Sequence, residues 1–229
     1  MTKLLTDSEI NLKINPQEEP AIYLVLSQTG TILSRILKHV TKSEYNHASI
    51  SLDKNMNHMY SFGRRNPYNP VWGGFIQESP FFGTMKRFHN TTAVILRVPV
   101  SDIQYQNLRD LLTGMYTEKE KYAYNIPGLF LAGLGIVYQH ENQYYCSEFV
   151  RYALTKFRII DPGRFKPITI PEDFLKLDAY EIIYIGNLRE YAFRYASEQA
   201  ILELLQEKPI YTRIFLKLEQ KFFELFKLL

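Results

Sequence analysis

The chain of 229 residues has little of several features that would define a functional class. It has one cysteine, Cys146, which excludes an intramolecular disulfide framework and any zinc site built from several cysteines. No apolar run approaches the roughly 18 residues of a membrane-spanning helix, and the N-terminus has none long enough for a signal peptide. We therefore expect a cytoplasmic protein, a location that also fits a lone thiol.

A strong charge of either sign is also missing. The 27 basic and 24 acidic residues leave a formal net charge of +3. The nearest approaches to a basic cluster, Arg64-Arg65 and Lys86-Arg87, are too short to form a tract. Charge therefore predicts no nucleic-acid partner. What is present is 46% hydrophobic and 14% aromatic residues, enough for a sizeable core with half-buried strands.

Apolar periodicity predicts an α+β fold with an antiparallel sheet packed against helices. The predicted strands are 21–27, 45–53, 58–63, 91–100 and 180–186, and the predicted helices are 30–43, 101–119 and 145–157. Residues 64–83 are rich in proline and glycine and are predicted to form a loop. We expect an N-terminal arm at 1–19, a main domain at 20–186 and a C-terminal helical extension at 187–229.

The predicted C-terminal extension carries a long apolar stripe. Its members are Ile214, Leu218, Phe222, Leu225 and Leu229. A free helix does not expose this much apolar surface. The stripe is expected to pack on the main domain, on a second copy of the chain, on another protein or on a membrane surface.

Cys146 begins a predicted helix and has two interpretations. In the first interpretation, Cys146 is a small core side chain, because the apolar stripe of the helix continues from it through Phe149, Val150 and Ala153. Alternatively, the positive end of the helix dipole stabilises a thiolate at this position, as a nucleophile requires. Glu148, in the same first turn, opposes this stabilisation slightly.

A nucleophilic cysteine needs a base, normally histidine. Four of the five histidines are predicted to be solvated or capping: His39, His58, His89 and His140. His47 differs, because it lies within a strand on the same face as Ser49 and Ser51. It is either a hydrogen-bonded sheet histidine or the base for Cys146.

The order of segments resembles a known family. A helix precedes "YNHASISLD" and "MYSFGRR"; then come "GGFIQE", a strand, a helix, "YNIPGL" and "YYCSEFV". This order is similar to that of the permuted papain-like cysteine hydrolases of the YaeF/YiiX type, within the NlpC-like superfamily. In that group the histidine strand precedes the cysteine helix. The resemblance covers roughly residues 20–186 and implies a circularly permuted papain-like fold.

The resemblance implies roles for particular residues. Cys146 matches the nucleophile and His47 the general base. A third residue that orients the imidazole commonly lies on the strand after the histidine strand, where this chain has Ser61 and no carboxylate. Glu78, in the predicted loop, is the nearest downstream carboxylate. Ser61 and Glu78 are therefore both candidates for the third role.

The remaining site residues are expected around the reacting carbonyl. The Cys146 backbone N–H would stabilise the oxyanion together with a donor from Tyr145 or Gln28. Tyr124 and Asn125 would shape the pocket, and Trp72 would belong to a loop on the substrate side. The resemblance implies no metal and no cofactor.

Relatives in this family act on cell-wall peptides or on the acyl groups of lipids, so the expected substrate is a small molecule, a peptide or an acyl compound. Two alternatives remain open. The first is an inactive relative that binds a peptide or acyl ligand, which the missing strand carboxylate favours. The second is a structural domain that docks partners through its C-terminal helices. Peripheral membrane contact and a homo-oligomer, each through the C-terminal helix, also remain open.

Overall fold

A computed structural model describes residues 19–28, 44–65, 72–81, 85, 88, 90–178 and 180–195. The predicted helix at 30–43, residues 1–18 of the predicted arm and the apolar stripe from Ile214 onward lie outside these residues. None of the described helices combines the length and apolarity that a membrane crossing requires.

The fold is α+β, with a six-stranded antiparallel sheet and several helices. The sheet strands are β1 (Ala21–Gln28), β2 (His47–Ser51), β3 (Met59–Arg64), β4 (Gly73–Glu78), β5 (Thr92–Pro99) and β8 (Glu181–Asn187). Their order across the sheet is β4-β3-β2-β1-β5-β8, and every neighbouring pair is antiparallel. Two short strands, β6 (Ala123–Tyr124) and β7 (Gln143–Tyr144), form a separate parallel pair.

The described part of the chain contains four α-helices: α1 (Asp102–Thr117), α2 (Ile126–Gly133), α3 (Cys146–Lys156) and α4 (Leu188–Tyr195). α1 begins where the sequence predicts, because Ser101 and Gln104 form a capping box: the Ser101 hydroxyl accepts from the Gln104 N–H at 3.2 Å, and Gln104 Oε1 accepts from the Ser101 N–H at 2.9 Å. Helix α2, short and followed by an exposed turn, is not predicted by periodicity.

The central strands β1 and β5 are buried on both faces, which explains their almost unbroken apolar sequences. One face, with Leu24 and Leu96 at its centre, forms the main core with α1 and α3. The other face, with Val25 and Ile95, forms a smaller core with α4, of which Leu188 is a member. Residues 188–195 of the predicted extension thus pack directly against the sheet.

The prediction of a loop throughout 64–83 is wrong, since β4 occupies Gly73–Glu78 and pairs with β3 along its whole length. Phe75 is completely buried in the main core. The glycines that indicated a loop instead permit a close approach: a Cβ on Gly74 would lie 2.5 Å from the Tyr122 carbonyl oxygen. Glu78 is therefore a strand residue with a fixed position.

Candidate active site

The candidate site lies where the start of β2 meets the start of α3. His47 is the first residue of β2, and Cys146 is the first residue of α3. Helix α3 packs against β2 and β3 through a stripe that includes Phe149 and Val150, both fully buried. The hydrophobic pattern of α3 thus anchors the helix, and its N-terminal end carries the thiol to the histidine.

His47 is held by a carboxylate. Its Nε2 lies 2.8 Å from Glu78 Oε1 and 3.0 Å from Oε2. The Ser49 hydroxyl donates to Glu78 Oε2, and Ser61 Oγ lies 3.2 Å from His47 Nε2. The side chains of His47 and Glu78 are only 14% and 7% exposed. Both sequence candidates for the third role therefore surround the same ring nitrogen, and Glu78 makes the shorter contact.

Electrostatics in this pair favour the charged forms. Burial alone lowers the pKa of His47, but the Glu78 charge and hydrogen bonds with Cys146 and Glu78 outweigh it and raise that pKa well above its usual value. Burial alone raises the pKa of Glu78, but the His47 charge and hydrogen bonds from His47, Ser49 and Ser61 lower it. The pair is therefore an imidazolium and a carboxylate around neutral pH.

Cys146 is buried at 4% exposure, but polar groups surround its sulfur. Burial alone raises the pKa of the Cys146 thiol. A hydrogen bond with His47, the His47 charge and the backbone N–H groups of Ala48 and Ser147 together lower it. Since Nε2 of His47 is occupied by Glu78 and Ser61, we infer that Nδ1 is the nitrogen available to the sulfur. The arrangement stabilises a thiolate next to an imidazolium.

Tyr124, the last residue of β6, also reaches Cys146. Its hydroxyl lies beside the Cys146 sulfur and the Cys146 backbone N–H, and interacts with both electrostatically. Burial first, and then the charge and hydrogen bond of Cys146, raise the pKa of Tyr124 well above its usual value, so the hydroxyl stays protonated. Tyr124 thus lies beside the Cys146 N–H, the group expected to stabilise an oxyanion. It is closer to the sulfur than a residue that only shapes the pocket would need to be.

Tyr145 and Asn125 have structural roles around this centre. The Tyr145 N–H donates to Glu148 Oε2 at 3.3 Å, so it is committed to capping α3 rather than to an oxyanion. Asn125 is fully buried; its Oδ1 accepts from the Gly128 N–H at 2.9 Å, and its Nδ2 donates to the Tyr138 carbonyl at 3.1 Å. Asn125 thus fixes the backbone directly after Tyr124, and Tyr145 fixes the backbone directly before Cys146.

Gln28 and Trp72 are not joined to the centre by the described contacts. Gln28 ends β1 opposite Thr92, and within the described ranges no hydrogen bond links it to Cys146 or His47. Trp72 is 56% exposed just before β4, where its carbonyl accepts from the Arg65 N–H. The residues between Arg65 and Trp72 lie outside the described part of the chain.

Sequence reasoning missed two contributors, Ser49 and the Ala48 backbone N–H. Ser49 lies two positions after His47 and therefore on the same face of β2, which is the signal that would have identified it. The Ala48 N–H carries no signal in the side-chain pattern. Among the described residues, no group of three histidine, cysteine or acidic side chains is placed to bind a metal ion.

A comparison of the chain with models of known protein families gave no match, and neither did a comparison with curated protein sequences.

Proposed function

We propose that this protein is a cysteine hydrolase, an amidase, peptidase or acyl hydrolase, with a circularly permuted papain-like fold. Cys146 is the nucleophile, His47 the base and Glu78 the residue that orients His47. The observation that carries this proposal is the placement of the Cys146 thiol, at the start of α3, beside the His47 imidazole of β2, which itself contacts the buried Glu78 carboxylate. The histidine strand precedes the cysteine helix, as the permuted family requires.

In the first half of the reaction, the Cys146 thiolate attacks the carbonyl carbon of an amide or ester. Negative charge moves to the carbonyl oxygen, which the Cys146 N–H and the Tyr124 hydroxyl can each stabilise by donating a hydrogen bond. His47 then donates its proton to the leaving amine or alcohol as the carbon–nitrogen or carbon–oxygen bond breaks, leaving a thioester.

In the second half, water attacks the thioester carbonyl and His47 accepts a proton from it. The carbon–sulfur bond breaks, the carboxylic acid leaves, and Cys146 returns as thiolate beside the imidazolium. Glu78 accepts a hydrogen bond from His47 Nε2 throughout, so it fixes the tautomer and orientation of the ring and stabilises its positive charge.

Two observations support this proposal over its alternatives. The absence of a carboxylate from the strand after the histidine strand favours an inactive, ligand-binding relative. Glu78, on β4, supplies a carboxylate to His47 from the next strand of the sheet. A cysteine that serves only as core would be expected among aliphatic side chains. Cys146 instead contacts the His47 imidazole, the Tyr124 hydroxyl and backbone N–H groups.

The pH dependence of alkylation tests the activated thiol. Because Cys146 is the only cysteine, whole-protein mass spectrometry after iodoacetamide treatment reports one site. We expect alkylation to persist below about pH 7 in the wild type and to require about pH 8.5 in His47→Ala. His58→Ala is the matched control, since His58 also pairs with a carboxylate, Asp53, at 3.0 Å. Equal pH profiles for wild type and His47→Ala would reject the proposal.

Turnover tests the reaction itself. Panels of peptide amides, N-acyl amino acids and lysophospholipids should include a compound whose hydrolysis Cys146→Ser abolishes and His58→Ala leaves unchanged. An activated thiol without turnover on any panel would instead favour the ligand-binding relative.

A further inference from the structure

Residues 126–138, which comprise α2 and the turn after it, form an exposed apolar segment that we call the apolar finger. Its sequence, "IPGLFLAGLGIVY", contains no acidic, basic or histidine residue. The exposed large side chains of the finger have between 40% and 74% of their surface accessible: Phe130, Leu134, Ile136, Val137 and Tyr138. Large apolar side chains are normally exposed singly, so such a run indicates an interaction surface.

The tip of the finger is highly exposed. Leu134 is the C-terminal cap of α2 and is the most exposed of the five side chains. Gly135 follows with φ +79°, and a Cβ placed on it would meet nothing within 4 Å. The chain thus turns in open space, with exposed apolar side chains both before and after the turn.

The base of the finger is fixed beside the candidate active site. Asn125 binds both ends of the segment through the Gly128 N–H and the Tyr138 carbonyl. Glu148 in the first turn of α3 is hydrogen bonded to Asn125 as well. Tyr124, which contacts Cys146, immediately precedes this base. The base of the finger is therefore held in place by hydrogen bonds beside Cys146, and the finger forms part of the rim of the site.

We propose that the apolar finger inserts into the surface of a phospholipid bilayer and holds the rim of the Cys146 site against it. This surface differs from the C-terminal stripe that the sequence suggested for membrane contact. The proposal goes beyond the hydrolase function and does not depend on it, because it concerns docking and not catalysis.

Area and polarity favour a bilayer over a protein partner. At about 150–220 Å² for a large side chain, the exposed fractions amount to about 500 Å², whereas a stable protein interface buries about 800 Å² on each partner. A protein interface also forms about one hydrogen bond per 100–200 Å², and Tyr138 is the only side chain of the finger with a polar atom. Tyr138, at the end next to Gln139 and His140, suits the boundary between lipid and water.

A fluorescence experiment on the full chain tests insertion directly. Trp72 is the only tryptophan, so a Trp72→Phe background lets a single new indole report its surroundings. Leu134→Trp places it at the tip, and Ile103→Trp is the matched control, because Ile103 is 73% exposed on α1. With phosphatidylcholine vesicles, we expect the emission of Leu134→Trp to move to shorter wavelength and to be quenched by brominated acyl chains, while Ile103→Trp stays unchanged.

A vesicle-partitioning experiment gives an independent readout. We expect Phe130→Ser combined with Leu134→Ser to weaken binding to phosphatidylcholine vesicles about tenfold or more, and Ile103→Ser to leave it unchanged. Cys146→Ser should bind as the wild type does, so an inactive enzyme would not be mistaken for failed docking.

Three outcomes would overturn the proposal. The first is a wild-type protein that does not bind the vesicles. The second is a vesicle-bound protein whose Leu134→Trp indole stays in water, which would move the membrane contact to another surface. The third is a shift of the Leu134→Trp emission that occurs without vesicles and grows with protein concentration. Such a shift would show that the finger binds a second copy of the chain.

Discussion

Glu78 Oε1 lies 2.8 Å from His47 Nε2 although the strands that carry these residues are not neighbours, since β3 separates β4 from β2. Ser61, on β3, lies 3.2 Å from the same nitrogen. The carboxylate thus reaches across one strand of the sheet, and the register of two strand pairs determines its position. The protonation state of His47 depends on this contact, and several of the tests below depend on that protonation state.

The first test removes the charge of Glu78 and keeps its shape. In Glu78→Gln, His47 loses the strongest interaction that raises its pKa, so we expect that pKa to fall. A titration of the His47 ring by NMR measures this directly. Turnover should decrease about 100-fold, with its alkaline limb moved to lower pH, because the imidazolium that protonates the leaving group is lost earlier. Asp53→Asn, which removes the carboxylate beside His58, is the control. An unchanged His47 pKa in Glu78→Gln would contradict this account of the site.

The sequence predicts those parts of this site that depend on local patterns. The alternation around His47 indicates a strand, and the apolar stripe after Cys146 indicates a helix that begins at the thiol. The local sequence predicts a loop at Glu78, because a glycine pair and nearby prolines are typical of loops. Burial of Glu78 and its approach to His47 depend on β4 pairing with β3 and β3 pairing with β2, and such register is not encoded in the local sequence of any one strand.

Tyr124 illustrates the same limit. Its position before "NIPGL" predicts a pocket residue, whereas its place beside Cys146 arises from the parallel pairing of two two-residue strands, β6 and β7. Strands this short give no periodic signal. Sequence reasoning therefore identifies Cys146 and His47, the residues proposed to react, more readily than the residues that position them.

The free energy of unfolding should also report the buried pair. The raised pKa of His47 contributes stability that is fully present below the unfolded value of about 6.5 and is lost as pH rises through the folded value. The lowered pKa of Glu78 contributes stability that is present above about 4.3 and is lost as pH falls through the folded value. Denaturation in urea should therefore show the largest difference between wild type and Glu78→Gln from about pH 4.5 to 6.5.

The control for this stability profile is the double variant His47→Gln with Glu78→Gln, in which neither charge remains. We expect its free energy of unfolding to vary less with pH than that of either single variant. If wild type and Glu78→Gln differed by the same amount at every pH, the two side chains would not be charged together in the folded protein.

Tyr124→Phe tests the hydroxyl at the expected oxyanion position. Loss of one preorganised donor should reduce kcat about 100-fold with a smaller effect on KM. Tyr122→Phe is the matched control, because Tyr122 packs its ring edge-on against Phe62, with the ring centroids 6.3 Å apart, and no hydrogen bond between described residues joins it to Cys146. Alkylation of Cys146 should still persist near pH 7 in Tyr124→Phe, since His47 remains. A lost low-pH alkylation together with unchanged kcat would assign Tyr124 to thiolate activation instead.

Gly74→Ala tests whether the close packing of β4 positions the site. The new Cβ would lie 2.5 Å from the Tyr122 carbonyl oxygen and 2.9 Å from the Arg65 guanidinium, which itself donates to that carbonyl at 3.0 Å. We expect a loss of about 1–3 kcal/mol in the free energy of unfolding, measured in urea, and a fall in turnover because Tyr122 precedes Tyr124 by two residues. Gly114→Ala is the matched control: this glycine lies exposed in α1, where a Cβ meets nothing within 4 Å, so the variant should gain about 0.5–1 kcal/mol. A Gly74→Ala protein as stable and active as the wild type would show that β4 does not pack closely against the segment that carries Tyr124.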